Sequence, residues 1–132
     1  MIKQLRVKSS SRTELVDITA GVQRLVAESG VRQGICHVYV PHTTAAITIN
    51  ENSDPNVGLD ILRELNKVIP FDDHYVHGEG NSAAHIKSSL IGVSKAVMVE
   101  EGRLGLGTWQ AIFYCEFDGP RERRVYVKVM EG

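Results

Sequence analysis

The stretch Trp109-Gln-Ala-Ile-Phe-Tyr-Cys-Glu-Phe117, Asp118-Gly-Pro120, Arg121-Glu-Arg-Arg-Val-Tyr-Val-Lys-Val-Met130 decides the fold. Both flanks alternate with the period of two that puts successive side chains on opposite faces of a strand. In the first, Trp109, Ala111, Phe113, Cys115 and Phe117 share an apolar face that reads as core, while Thr108, Gln110, Ile112, Tyr114 and Glu116 share the other. In the second, Arg121, Arg123, Val125, Val127 and Val129 share a face. Asp118-Gly-Pro120 is turn chemistry, so the strands Leu106–Phe117 and Arg121–Met130 read as a hairpin. A similar turn, Glu101-Gly-Arg103, attaches a third strand, Lys95–Glu100. Ile112, Tyr114, Tyr126 and Met130 form a second face too apolar for open water, to be covered by helices or by another subunit.

Working back toward the N-terminus, residues 3–9 and 12–17 read as two short strands around Ser9-Ser-Ser11. Ile18, Val22, Leu25 and Val26 make a helical stripe, with Asp17 as its expected N-cap and Gly30 as its stop. Gly34–Val40 and Ala45–Asn50 follow as strands. Asp54 caps a second helix with Pro55 at its first position, an apolar stripe of Val57, Ile61, Leu65 and Val68, and Pro70 at its end. Asn81 or Ser82 opens a third, shorter helix that Gly92 stops, with Ile86, Leu90 and Ile91 expected to face inward. Strands and helices in this order give an α+β fold. A mainly antiparallel sheet packs with two longer helices and one short one, in a single domain over 1–132.

A chain of 132 residues is long enough to bury a core of its own. Its charged share of 23% and net charge of -1 leave no basic footprint for nucleic acid and no polybasic membrane surface. With neither an apolar leader nor a spanning stretch, the expected location is cytoplasmic. Cys36 and Cys115 sit within apolar strand patterns and read as buried, reduced thiols.

The chemistry concentrates in His77-Gly-Glu-Gly-Asn-Ser-Ala-Ala-His85 and in Pro41-His-Thr-Thr44. Imidazole binds divalent metals and moves protons near neutral pH, and glycine lets backbone approach a ligand. The eight-residue spacing of His77 and His85 is no zinc-finger or HExxH signature. The loop could still bring them together with His42, giving three ligands and an open position for a divalent ion such as Zn or Mg. Glu51 has no evident capping duty and is the candidate general base or Mg²⁺ ligand, whereas Asp54 reads as a helix cap. Thr43, Thr44, Asn81 and Ser82 suit a phosphate, to which Lys87, Arg121 and Arg123 could add charge. Gly102-Arg-Leu-Gly-Leu-Gly107 lacks the Lys-Ser/Thr of a P-loop.

Taken together these stretches resemble the YjbQ-like family, commonly described as secondary thiamine-phosphate synthases. The resemblance rests on Val38-Tyr-Val-Pro-His-Thr-Thr-Ala-Ala46 with Ile49-Asn-Glu-Asn-Ser-Asp54, on His77 through Lys87, on Leu106-Gly-Thr-Trp-Gln110 and on Cys115-Glu-Phe-Asp-Gly-Pro-Arg121, in that order. It implies a homotrimer with sites near subunit boundaries. It also implies His42, His77 and His85 as site residues, with Glu51, Asp54, Asn81, Gln110 and Arg121 nearby. The implied activity joins thiazole phosphate to pyrimidine pyrophosphate with release of pyrophosphate. His77-Gly-Glu-Gly80 is a local departure, since the resemblance implies a more acidic loop. Two other functions fit the same residues: a phosphate-ester hydrolase using metal-activated water, and a non-catalytic binder of metal or metabolite.

Overall fold

Local signals set most of the element ends. A computed structural model describes residues 1–132. In chain order the elements are β1 (Ile2–Lys8), β2 (Glu14–Asp17), α1 (Thr19–Ser29), β3 (Gln33–Tyr39), β4 (Ala45–Glu51), α2 (Pro55–Val68), α3 (Ser82–Ile91), β5 (Ser94–Glu100), β6 (Arg103–Leu104), β7 (Gln110–Glu116) and β8 (Glu122–Glu131). Asp54 caps α2 as its sequence implies, accepting the Asn56 N–H at 2.9 Å, with Pro55 beginning the helix. Gly30 closes α1 in the left-handed region at φ 73, where a side chain would be strained. Asp17 stands one residue before the cap position, which Ile18 occupies, yet still accepts the Thr19 N–H at 2.9 Å.

Every strand pair is antiparallel, but the strands form two sheets: β1-β8-β3-β5-β6 and β2-β7-β4. The fold is thus α+β as expected, while the hairpin expected of β7 and β8 does not form. The two strands belong to different sheets, and Asp118-Gly-Pro120 is the corner that carries the chain between them. Gly119 explains the corner. Its N–H donates to Arg12 O at 2.9 Å, and a Cβ there would collide with Ser11 O, so backbone packs directly on the β1–β2 turn. The Glu101-Gly102 turn does close a hairpin, between β5 and the two-residue β6. Residues 105–109 are loop, and Trp109, read from alternation as core, is 61% exposed just before β7 begins.

Splitting the sheet in two explains the doubly apolar β7. Ile112 and Tyr114 enter the main core, packed with Val22 and Val26 of α1 and with Val38, Val97, Val125 and Val127 of the five-stranded sheet. Their cover is therefore the other sheet together with α1. Tyr126 and Met130, grouped with them by sequence, lie on the outer face of the five-stranded sheet, where Tyr126 stacks on Tyr39 at 6.4 Å. The opposite face of β7 packs Cys115 and Phe117 against Ala46 and Ala84, flanked by Leu62 and Leu65 of α2 and Ile91 of α3. Cys36 and Cys115 are free and buried, and burial pushes their thiols up to about 11 and about 12, which makes them inert.

Helix α3 turns inward a different face from the one Ile86 and Leu90 imply, although Ile91 packs on the core as expected. Ile86 and Leu90 are exposed, while Ala83, Ala84, Lys87 and Ser88 are buried. Small side chains let the helix lie close to β4, where Ser88 Oγ donates to Ala45 O at 2.6 Å. This rotation aims the first turn of α3 at the site. No helix is long and apolar enough to cross a membrane.

Candidate functional site

Antiparallel register gathers the chemistry at one end of the three-stranded sheet. Ala45 at the start of β4 lies opposite Glu116 at the end of β7, so Pro41-His-Thr-Thr44 and the Asp118–Arg121 corner are neighbours. The α2–α3 loop and the start of α3 complete the rim. The result is an open cavity of about 880 Å³ lined by thirteen residues, none of them hydrophobic.

A buried ion pair forms its floor. Arg123, 3% exposed, donates from Nε to Glu116 Oε1 at 3.0 Å and from Nη2 to Glu116 Oε2 at 2.6 Å and Thr44 Oγ1 at 2.8 Å. Ser9 Oγ donates to Glu116 Oε1 at 2.7 Å, and the Asp118 N–H donates to Oε2 at 3.0 Å. Every carboxylate oxygen is thus paired, as a buried charge requires. One network fixes both Thr44 and the corner that bears Asp118 and Arg121.

Above this floor the three imidazoles differ in their partners. His42 Nε2 accepts the Arg124 backbone N–H at 3.0 Å, which places its proton on Nδ1. Burial, then the charges of Arg123 and Arg124, hold this imidazole below its ordinary 6.5, so it is neutral at pH 7. His77 and His85 meet edge to face, with ring centroids 5.4 Å apart. His77 Nε2 also stands 3.9 Å from Glu79 Oε2. Helix α3 begins at this pocket with neither a side-chain cap nor an acidic first-turn residue, and Asn81 and His85 of its first turn line the cavity. Asn81 donates from Nδ2 to Asp118 Oδ2 at 3.0 Å, and its own Oδ1 is buried with no donor.

The structure thus brings His42, Thr43, Thr44, His77, Asn81, His85 and Arg121 into one cavity. It does not bring Glu51, Gln110 or Lys87 there. Seven residues of β4 span about 20 Å, so Glu51 and its cross-strand partner Gln110 lie at the far end of the sheet from Thr44. There Glu51 accepts Ser53 Oγ at 2.9 Å, and Gln110 Oε1 accepts the Gly107 N–H at 2.8 Å. Lys87 is wholly buried, donating to Asn66 Oδ1 at 2.6 Å, with its Nζ 4.3 Å from the centroid of the Phe71 ring. Arg12 and Asp118 line the cavity although neither stood out as a site residue in the sequence. Arg12 opens a stretch read as a strand and Asp118 one read as a turn, and the corner that unites them is a property of the two-sheet topology.

No three of the histidine, cysteine, aspartate and glutamate side chains stand where one metal ion could reach them. Among the three histidines, His42 has its Nε2 lone pair engaged by the Arg124 N–H.

Lys87 carries a prediction of its own. Burial, then the charge of Arg12, brings its ammonium down from 10.5 to about 8. Between those values the unfolded chain binds more protons than the folded one, so wild-type stability gains from this residue as pH rises through that window. Lys87→Met is expected to change stability at pH 7 by no more than about 1–2 kcal/mol, losing a buried charge but orphaning Asn66. Urea melts at pH 7 and pH 9.5 should show the difference moving in favour of wild type; an unchanged difference would contradict the lowered value.

The chain and its fold have relatives. The family described as "UPF0047 protein YjbQ-like" matches residues 3–132. UPF0047 protein YugU of Bacillus subtilis is 52% identical over 131 residues, covering 98% of this chain and 99% of its own. A UPF0047 protein of Methanocaldococcus jannaschii is 52% identical over 130 residues, covering 98% and 94%. Among solved structures, an uncharacterised YjbQ/UPF0047 protein of Clostridium acetobutylicum superposes with a TM-score of 0.95 at 52% identity, covering 97% of this chain and 99% of that one. A YbjQ-like protein of unknown function from Sulfolobus solfataricus gives 0.96 at 36% identity, covering 100% and 97%.

Proposed function

This chain belongs to the YjbQ-like UPF0047 family, and on that premise we propose that it is a cytoplasmic enzyme whose histidine-rich cavity binds a phosphorylated small molecule. The observation that carries this reading is the meeting of His42, His77 and His85 with Arg121, Thr43, Asn81 and the open end of α3. The positive helix end and Arg121 would take phosphate oxygens, aided by backbone N–H groups around Thr43. Neutral His42 offers an Nδ1–H donor, and the His77–His85 pair adds two imidazoles as candidate proton-transfer groups. The reaction implied by the resemblance joins thiazole phosphate to pyrimidine pyrophosphate. The thiazole nitrogen is the nucleophile there, and charge developing on the departing pyrophosphate needs cationic donors. The three histidines as arranged do not fit a shared metal ion.

A second reading, phosphate-ester hydrolysis, is favoured by the absence of any hydrophobic wall against which an aromatic ring could lie. Assembly as a homotrimer is supported by the outer face of the five-stranded sheet, which exposes Ile35, Tyr39, Met98 and Met130. The test is turnover by the purified chain on the two thiamine precursors and on simple phosphate esters, with and without added Zn²⁺ or Mg²⁺. Thiamine phosphate as product supports the transferase, and inorganic phosphate from esters supports the hydrolase. Phosphate binding without turnover reduces the protein to a binding module, and the absence of both defeats the reading.

A further inference from the structure

The charged side chains of the cavity are paired, with one exception. Arg123 is neutralised by Glu116, Arg121 donates to Asp118 at 3.1 Å, and His77 faces Glu79. Only Arg12 has no carboxylate partner and donates no hydrogen bond from its side chain, although it lines the same cavity. It is nevertheless held in place: its guanidinium lies 3.6 Å from the centroid of the Phe71 ring. A guanidinium stacked on an aromatic face keeps its N–H edge free, and that fork matches two oxygens of a phosphate or carboxylate.

The surroundings add a second positive charge beside that fork. Lys87 Nζ lies 4.3 Å from the same ring centroid and has an amide oxygen, not a carboxylate, as its acceptor. Two cations therefore share one ring with no anion between them, which costs electrostatic energy until a negative group arrives. Resting on the reading of the cavity as a phosphate site, we propose that Arg12 is its principal oxyanion anchor, stacked in place by Phe71, and that the ligand is a polar molecule ending in a phosphate. The rest of the ligand is hydroxyl-rich rather than aromatic, because the cavity walls, apart from the Phe71 ring that Arg12 itself covers, offer hydrogen-bonding groups and no hydrophobic side chain. The phosphate ester of a sugar or polyol is the matching class. Phe71 lies on the α2–α3 loop that also carries His77, so the anchor and the loop histidine are positioned together.

The test uses inorganic phosphate as the probe, titrated calorimetrically into the full chain at fixed ionic strength, with a sugar phosphate and an aromatic phosphate monoester alongside. Arg12→Gln is expected to weaken phosphate at least about ten-fold, the scale of one lost charge-assisted contact. Arg12→Lys should recover only part of it, because an ammonium lacks the fork. Arg121→Gln should cost less, since its guanidinium is already occupied by Asp118. Unliganded melting temperature should be unchanged in Arg12→Gln, while the phosphate-induced rise in melting temperature disappears. Wild-type binding with Arg12→Gln equal to it overturns the anchor and leaves the phosphate site standing. No phosphate binding by wild type overturns both. Tighter binding of the aromatic ester than of the sugar phosphate overturns the ligand class.

Discussion

Glu116→Ala is expected to cost about 3–5 kcal/mol of folding stability, the range for removing one member of a buried ion pair. Arg123 would be left 3% exposed with its charge uncompensated and two of its donors unmet, and Ser9 Oγ and the Asp118 N–H would lose their acceptor. Equilibrium urea unfolding at pH 7 measures the loss, and a change below about 1 kcal/mol would show that the pair is not needed. Replacing both partners together, Glu116→Leu with Arg123→Met, should recover much of the stability, because no lone charge stays in the core. It should not recover the site, since Thr44 and the Asp118 corner lose the group that holds them. The pair also sets an acid limit. Burial alone would raise the Glu116 carboxyl, but hydrogen bonds from Arg123, Ser9 and the Asp118 N–H outweigh it and hold it below its ordinary 4.5. A carboxyl lowered by folding stabilises above its unfolded value, and that contribution is lost as pH falls through its folded value. Wild type should therefore lose stability below about pH 4.5, and Glu116→Gln should lose less over the same interval.

Elements and their ends were legible where a local rule acts alone. Asp54 and Pro55 start α2, Gly30 stops α1, and the inward face of β8 follows from alternation over Arg123, Val125 and Val127. The split into two sheets was not legible, because a Gly-Pro turn between alternating strands reads the same for a hairpin and for a corner between sheets. What distinguishes them is the packing of Gly119 on Ser11 and Arg12, a contact far apart in sequence. The orientation of α3 was hidden for a related reason. Aliphatic periodicity points Ile86 and Leu90 inward, yet close approach to β4 favours the alanine and serine face, and burial of Lys87 depends on Asn66 from another helix. The histidines were legible as chemistry through their residue types and neighbouring turns. Their convergence, and the arrival of Arg12, depend on cross-strand register, which no spacing within one segment encodes.

His85→Ala should separate function from folding in a single variant. The side chain sits in the first turn of α3, half-buried at the cavity, while Ala83, Ala84, Lys87 and Ser88 bury the helix on β4. Alanine favours the helix, so stability should change by no more than about 0.5–1 kcal/mol. The functional loss should be far larger. His85 lies edge-on to His77 with centroids 5.4 Å apart, and its imidazole makes no other bond that alanine would break. If the pair exchanges protons with a bound phosphate ester, its removal should lower turnover about 100-fold or more, the usual yield of a positioned acid or base. Phosphate affinity should fall much less, because Arg12 and Arg121 still line the cavity. Melting temperature, phosphate titration and turnover on one preparation distinguish the outcomes. A variant that melts many degrees lower yet turns over normally would make His85 a packing residue. One that melts normally and loses phosphate binding as completely as Arg12→Gln would make it an anion ligand. Normal melting with retained phosphate and lost turnover is the expected result, since proton transfer is the one task here that alanine cannot share.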